Sequence, residues 1–206
     1  MKFFGRNKEI SELQETNRLS EHTARFTIVT GRRRSGKTSL LLKAYEDVSD
    51  MLYFFVARKS EAELCKDFIT EITEKLQIPI LGEVSRFADI FKFLMQLSKT
   101  RHLTVVIDEF QDFKRVNPSV FSDMQKIWDL NKAEAHINLV VCGSIYSLMN
   151  VIFKSSKEPL YGRQTGEIKV TAFPPSTIRE ILACYNPSFT AEDLLALYLY
   201  TGGVAE

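Results

Sequence analysis

Short apolar runs of strand length alternate along the chain with longer segments in which apolar residues recur every three or four positions. A strand buried on both faces reads as continuous apolar sequence, while its crossover helices keep one wet face, so the alternation predicts a parallel sheet sandwiched between helices. Five strands are expected, at Phe26 to Thr30, Met51 to Ala57, Leu103 to Asp108, Ile137 to Cys142 and, with a weaker pattern, Glu167 to Val170. Helical spacing fills Ser39 to Val48, Glu61 to Leu76, Arg86 to Ser98 and Pro118 to Leu130. In the second of these, Leu64, Phe68, Ile72 and Leu76 form an apolar stripe opposite Glu61, Lys66, Glu71 and Lys75, the mark of a helix laid on a core. Helical pattern returns at Ser176 to Cys184 and Ala191 to Tyr200, beyond Phe173-Pro174-Pro175 and split by Asn186-Pro187. The paired prolines place a boundary that divides a core over residues 1–173 from a small helical segment over 174–206.

Composition limits the partners without choosing one. With 206 residues, 45% of them hydrophobic and 26% charged, the chain can bury one sizeable core and carry a small helical appendage. A net charge of +1 supplies no global attraction to nucleic acid or to a membrane surface. Cys65, Cys142 and Cys184 lie far apart and are odd in number, and they are read as reduced core thiols of a cytoplasmic protein. No segment reaches the ~18 apolar residues of a membrane span. The start, Met1-Lys2-Phe3-Phe4-Gly5-Arg6, lacks a secretory hydrophobic region. His22, His102 and His136 are isolated and are assigned no chemistry.

Candidate chemistry begins at Gly31-Arg32-Arg33-Arg34-Ser35-Gly36-Lys37-Thr38, between the first expected strand and a leucine-rich helix. Two glycines at this spacing let the backbone wrap a phosphate chain with its N–H groups pointing inward. Lys37 then reaches the terminal phosphates, and the Thr38 hydroxyl is placed to ligate Mg²⁺. The third strand ends in Asp108-Glu109, at the edge of the sheet where ligands bind. Asp108 there can serve the cation, and Glu109 projects toward the terminal phosphate, where it can polarise an attacking water. Small-molecule kinases that share the loop need no such glutamate, so the pair favours hydrolysis over transfer. The fourth strand runs into Gly143-Ser144, and Ser144 is read both as a contact to the water or γ-phosphate and as an N-cap for the segment from Ile145.

These residues resemble the archaeal-type ATPases of the STAND branch within the AAA+ group. The resemblance rests on Phe4-Gly5-Arg6 with Glu9, the loop from Gly31 to Thr38, Asp108-Glu109-Phe110-Gln111, Gly143-Ser144, Pro159-Leu160-Tyr161-Gly162-Arg163 and Thr201-Gly202-Gly203-Val204. It implies a phosphate-loop NTPase, a three-layer αβα sandwich with a parallel sheet of order 5-1-4-3-2 and the start of a helical lid. It also implies Mg²⁺-dependent binding of ATP or ADP, and slow hydrolysis used as a conformational switch. By position, the loop residues Gly31 through Ser39 hold nucleotide, and Phe4, Gly5 and Arg6 lie against adenine and ribose. Lys37, Glu109, Ser144 and Arg163 carry catalysis, with Thr38 and Asp108 on the metal. Arg163 stands where related ATPases offer an arginine to a neighbouring subunit's γ-phosphate, which implies self-association, or serve as an internal sensor; Gln111 orients Glu109 or senses nucleotide.

The chain departs from the family pattern at Ala205, where proline commonly follows Gly-Gly-Val, and it stops at Glu206 inside the lid. A lid cut short and an effector domain beyond it are therefore expected. Arg32, Arg33 and Arg34 suggest nucleic-acid phosphates at first sight, but their place in the loop favours nucleotide, neighbouring carboxylates or a partner subunit. Two other readings stay open: a module that holds ADP or ATP with negligible turnover, and a nucleotide-gated DNA-binding protein of the initiator type.

Overall fold

The computed structural model describes residues 3–80 and 82–204, so the reading of Ala205 and of the stop at Glu206 lies outside the described residues. The strands are β1 (Arg25–Gly31), β2 (Met51–Phe55), β3 (Leu103–Asp108), β4 (Ile137–Gly143) and β5 (Gly166–Val170). The helices are α1 (Asn7–Ser20), α2 (Lys37–Ala44), α3 (Glu61–Leu76), α4 (Phe87–Leu97), α5 (Phe113–Val116), α6 (Ser119–Asn131), α7 (Tyr146–Lys154), α8 (Pro175–Tyr185) and α9 (Ala191–Thr201). The sheet order is β2-β3-β4-β1-β5 and every described pairing is parallel, which is the expected 5-1-4-3-2 read from the other edge. β1 and β3 therefore flank β4, and their C-terminal ends meet at one rim of the sheet.

Period-two alternation divides the core into the two outer layers. Along β3, Val105 and Ile107 face a larger cluster built with α3, α4, α6 and α7, while Val106 faces a smaller one with Leu13 of α1 and Leu40 and Leu41 of α2. The larger cluster carries a continuous path of aromatic rings. It runs from Phe54 through Phe68, Phe87, Phe113, Phe110 and Phe153 to Phe26 and Trp128, with centroid separations of 4.5 to 5.8 Å. Phe110, fully buried, anchors the turn that follows β3.

α1 is absent from the spacing-based expectation. Its apolar positions are sparse, Ile10, Leu13 and Leu19, and only Leu13 and Ser20 are buried. What docks it is polar: the Thr104 hydroxyl (2.6 Å) and the Asn138 amide (3.0 Å) both donate to Asn17 Oδ1, while Ser20 meets His102 Nε2 at 2.7 Å. Cys65 and Cys142 are buried as expected, but Cys184 is exposed, because α8 buries only Thr177 and Ile178. No helix among the described residues is long and apolar enough to cross a membrane.

Candidate active site

The loop between β1 and α2 turns twice through the left-handed region, at Arg34 (φ 68°) and Gly36 (φ 80°). This conformation turns backbone N–H groups toward a common centre ahead of α2, whose N-terminal dipole adds to the attraction for an anion. Lys37, buried to 6% exposure, donates from Nζ to the carbonyls of Gly31 (3.0 Å) and Arg32 (2.9 Å), which folds its ammonium over the mouth of the loop. Arg32, Arg33 and Arg34 are exposed, with Arg33 and Arg34 lining the adjoining cavity.

Asp108, 3% exposed, closes the loop from the β3 side. The Thr38 hydroxyl donates to its Oδ2 at 2.6 Å, the Tyr53 phenol donates to the same oxygen at 2.8 Å, and the Glu109 N–H donates to Oδ1 at 2.8 Å. Burial, and then the Asp108 charge, push the Cys142 thiol well above its usual range, so this neighbour is a neutral packing group. Among the described residues no cluster of three or more His, Cys, Asp or Glu could hold a metal by itself. Thr38 and Asp108 nonetheless fit Mg²⁺: they are hard oxygen donors, and that ion is commonly held by one or two carboxylates together with substrate phosphates.

Glu109 sits in a left-handed backbone conformation (φ 52°, ψ 39°), unusual for a glutamate, which swings its side chain across the end of β3 toward β4. Ser144 Oγ (2.8 Å) and Gln111 Nε2 (2.5 Å) both donate to Glu109 Oε2. Ser144 is thus committed to the carboxylate; Ile145, not Ser144, is the residue that precedes α7, and no side-chain cap forms there. Gln111 is 1% exposed, and its Oε1 has no partner. That amide fits because position 143 is glycine: a Cβ there would stand 2.5 Å from Gln111 Oε1 and from Met149 Sδ.

A cavity of about 410 Å³ opens from this centre toward α8. Its polar end is lined by Gly36, Lys37, Thr38, Ser39, Asp108, Glu109 and Ser144, and its apolar end by Phe3, Phe4, Phe173, Ile181 and Tyr185. Phe4 and Tyr185 face each other with centroids 6.1 Å apart. Arg6 lines the cavity, as expected of a residue beside the nucleotide, and is also tied to protein. Its guanidinium donates to the carbonyls of Thr171 and Ser35, pairs with Glu9 at 3.1 Å and lies 4.5 Å over the Phe173 ring. These contacts tie the N-terminal segment to the loop and to the approach to α8. Phe173, Ile181, Tyr185 and Tyr53 carried no functional signal along the chain; their recruitment depends on where α8 and β2 come to lie.

Arg163 is not brought to this centre. Its guanidinium binds Asp129 of α6 at 2.7 and 3.1 Å and its own chain at Tyr161. Two residues on, the Thr165 N–H donates to the carbonyl of Phe26 at the start of β1. Phe26 lies five residues before Gly31, which puts roughly 16 Å of strand between that level and the loop. An internal sensor role is therefore closed to it.

A parallel sheet with its loop strand flanked by β4 and β5, a glycine-framed loop on that strand and an Asp-Glu pair ending β3 define the phosphate-loop NTPase fold. The match to a family model spans residues 3–206, and the chain belongs to that family, the ATPase domains found predominantly in Archaea. An uncharacterized protein of Methanocaldococcus jannaschii is 30% identical over 202 residues, covering 98% of this chain and 42% of the relative. Among solved structures, the Walker-type ATPase of Pyrococcus abyssi superposes with a TM-score of 0.72 at 20% identity, over 98% of this chain and 64% of that one. The ORC2 protein of Aeropyrum pernix, solved in ADPNP and ADP complexes, gives 0.67 at 17% identity, over 86% of this chain and 50% of that one. The chain thus spans about two-fifths to two-thirds of the length of these proteins.

Proposed function

We propose that the domain binds ATP with Mg²⁺ and hydrolyses it slowly, using the change of nucleotide to shift the position of its helical segment. The observation that carries this reading is the joining of the phosphate loop to the β3 carboxylates, with Thr38 bound to Asp108 at 2.6 Å and Glu109 immediately beyond. Loop N–H groups and Lys37 would hold the phosphates. Thr38 and Asp108 would hold the cation, whose contribution is to neutralise phosphate charge as it builds during transfer. Glu109 would accept a proton from the attacking water, with Ser144 and Gln111 fixing its orientation. Phe4 and Tyr185 offer aromatic faces to the base. Since the apolar end of the cavity is lined by α8 residues and the polar end by the loop, a nucleotide spanning both would couple its phosphate state to the segment beyond Pro174.

A second reading has its own support. Glu109 Oε2 already accepts two hydrogen bonds, an arrangement suited to a carboxylate held still while nucleotide stays bound. In that case the domain is a holder of ADP or ATP with very slow turnover. Both readings require nucleotide at the loop, and Lys37→Ala tests that requirement. Calorimetry with ADP and a non-hydrolysable ATP analogue should show affinity reduced by at least about tenfold, or ~1.4 kcal/mol. Affinity equal to wild type would remove nucleotide binding from this loop.

A further inference from the structure

Tyr53 lies outside every motif that marks the site, yet it makes one of the three hydrogen bonds described on the Asp108 carboxylate. Its placement follows from strand register. β2 pairs with β3 so that Tyr53 stands opposite Val106, and Asp108, two residues further, projects from the same face. That diagonal separation is within reach of a long aromatic side chain, and the phenol closes it at 2.8 Å. β2 is the edge of the sheet, so Tyr53 covers the outer flank of Asp108 while Cys142 of β4 packs on the inner one. The Thr38 and Tyr53 hydroxyls together occupy Oδ2, and the adjacent backbone N–H occupies Oδ1. The carboxylate is thereby fixed in rotation before any ligand arrives. Tyr53 itself does not line the described nucleotide cavity.

We propose that Tyr53 is a positioning residue for the cation half of the site: its phenol sets the orientation of Asp108 and so governs how strongly a divalent cation tightens nucleotide binding. The inference rests on the nucleotide and cation reading given above. Removing the hydroxyl leaves Asp108 held only by Thr38 and the Glu109 N–H, so its orientation is less tightly set, and the cost falls only on states in which that carboxylate faces Mg²⁺. Nucleotide bound without cation, through the loop and Lys37, should be indifferent to it.

The test is calorimetric and independent of turnover. ADP affinity is measured for wild type and Tyr53→Phe in chelator and across a Mg²⁺ titration, with thermal unfolding of the free proteins as the check on folding. In chelator the two affinities should agree within about twofold, while the Mg²⁺ concentration giving half of the tightening should rise at least about fivefold in the variant. Tyr53→Leu, lacking hydroxyl and ring, should show the same cation-specific loss and serves if the phenylalanine variant folds poorly. Mg²⁺ dependence equal to wild type, or an equal loss of affinity with and without Mg²⁺, overturns the proposal and leaves Tyr53 a packing residue. If wild type binds ADP with no Mg²⁺ effect, or does not bind it, the cation reading of Thr38 and Asp108 fails first and takes this proposal with it.

Discussion

Glu109 shows how much of the chemistry is set by single residues and how little of that setting is local. Its identity and place after an apolar strand were legible from the sequence, because a buried strand must end where carboxylates can meet solvent or ligand. Gln111 as a group that orients it was offered by the family resemblance; the left-handed backbone of Glu109 and its bond from Ser144 were not legible, since they depend on how β4 delivers Ser144 to the end of β3. Gly143 is the hidden member of this group. Gly143→Ala would push a methyl into the space of Gln111 Oε1 and Met149 Sδ, each 2.5 Å from the new Cβ. The variant should lose about 1–3 kcal/mol of stability in denaturant titration through overpacking. Turnover should fall with it while ADP affinity stays within about threefold, because the atoms nearest the added Cβ belong to Gln111 and Met149 rather than to the loop from Gly31 to Thr38. Loss of ADP affinity in step with turnover would argue against a separate clamp on Glu109.

At the scale of elements, most that bury apolar stripes were readable, whereas α1 and the short α5 were missed and α7 was expected only as a segment from Ile145 with no end. α3 matches its expected span at both ends, and β3 does too, for each is written in residues that have nowhere to go but the core. β2 stops at Phe55 rather than Ala57, although the Val56 N–H still bonds to the Asp108 carbonyl. α1 was silent because its attachment is a polar lock, with Asn17 bonding to Thr104 and Asn138 across the sheet and Asn138 also to the buried Tyr45 hydroxyl. Thr104 and Asn138 are fully buried, so Asn17→Ala strands two donors. A destabilisation of about 1–3 kcal/mol is expected in chemical denaturation, against less than ~0.5 kcal/mol for Glu15→Gln on the exposed face of the same helix. Equal effects would mean that α1 is held by its few apolar contacts instead.

For the whole molecule, the separation of Arg163 from the phosphate loop bears on the internal-sensor part that the family resemblance offered and leaves the part in a neighbouring subunit open. In a parallel sheet the residues just ahead of a strand lie at the rim where strands begin, and Arg163 stands just ahead of β5. The α7 to β5 connection returns to the rim where strands begin, and there Asp129 takes the guanidinium. Any catalytic part for Arg163 therefore needs a second copy. For this chain alone, Arg163→Ala should leave turnover per molecule unchanged across a hundredfold range of protein concentration; turnover that rises with concentration in wild type and not in the variant would establish a contribution in trans. The segment beyond Pro174 is lightly held, with α9 burying none of its described residues. On the proposed switch, this is the segment whose position nucleotide would bias.

Whether the domain turns nucleotide over or merely holds it comes down to Glu109. With protein in excess over radiolabelled ATP and Mg²⁺ present, phosphate release in a single turnover reads the chemical step free of product release. Wild type should convert its bound ATP, and Glu109→Gln should bind ATP within about threefold of wild type while releasing phosphate at least about a hundredfold more slowly. Equal rates in the two proteins would contradict a role for Glu109 in activating water.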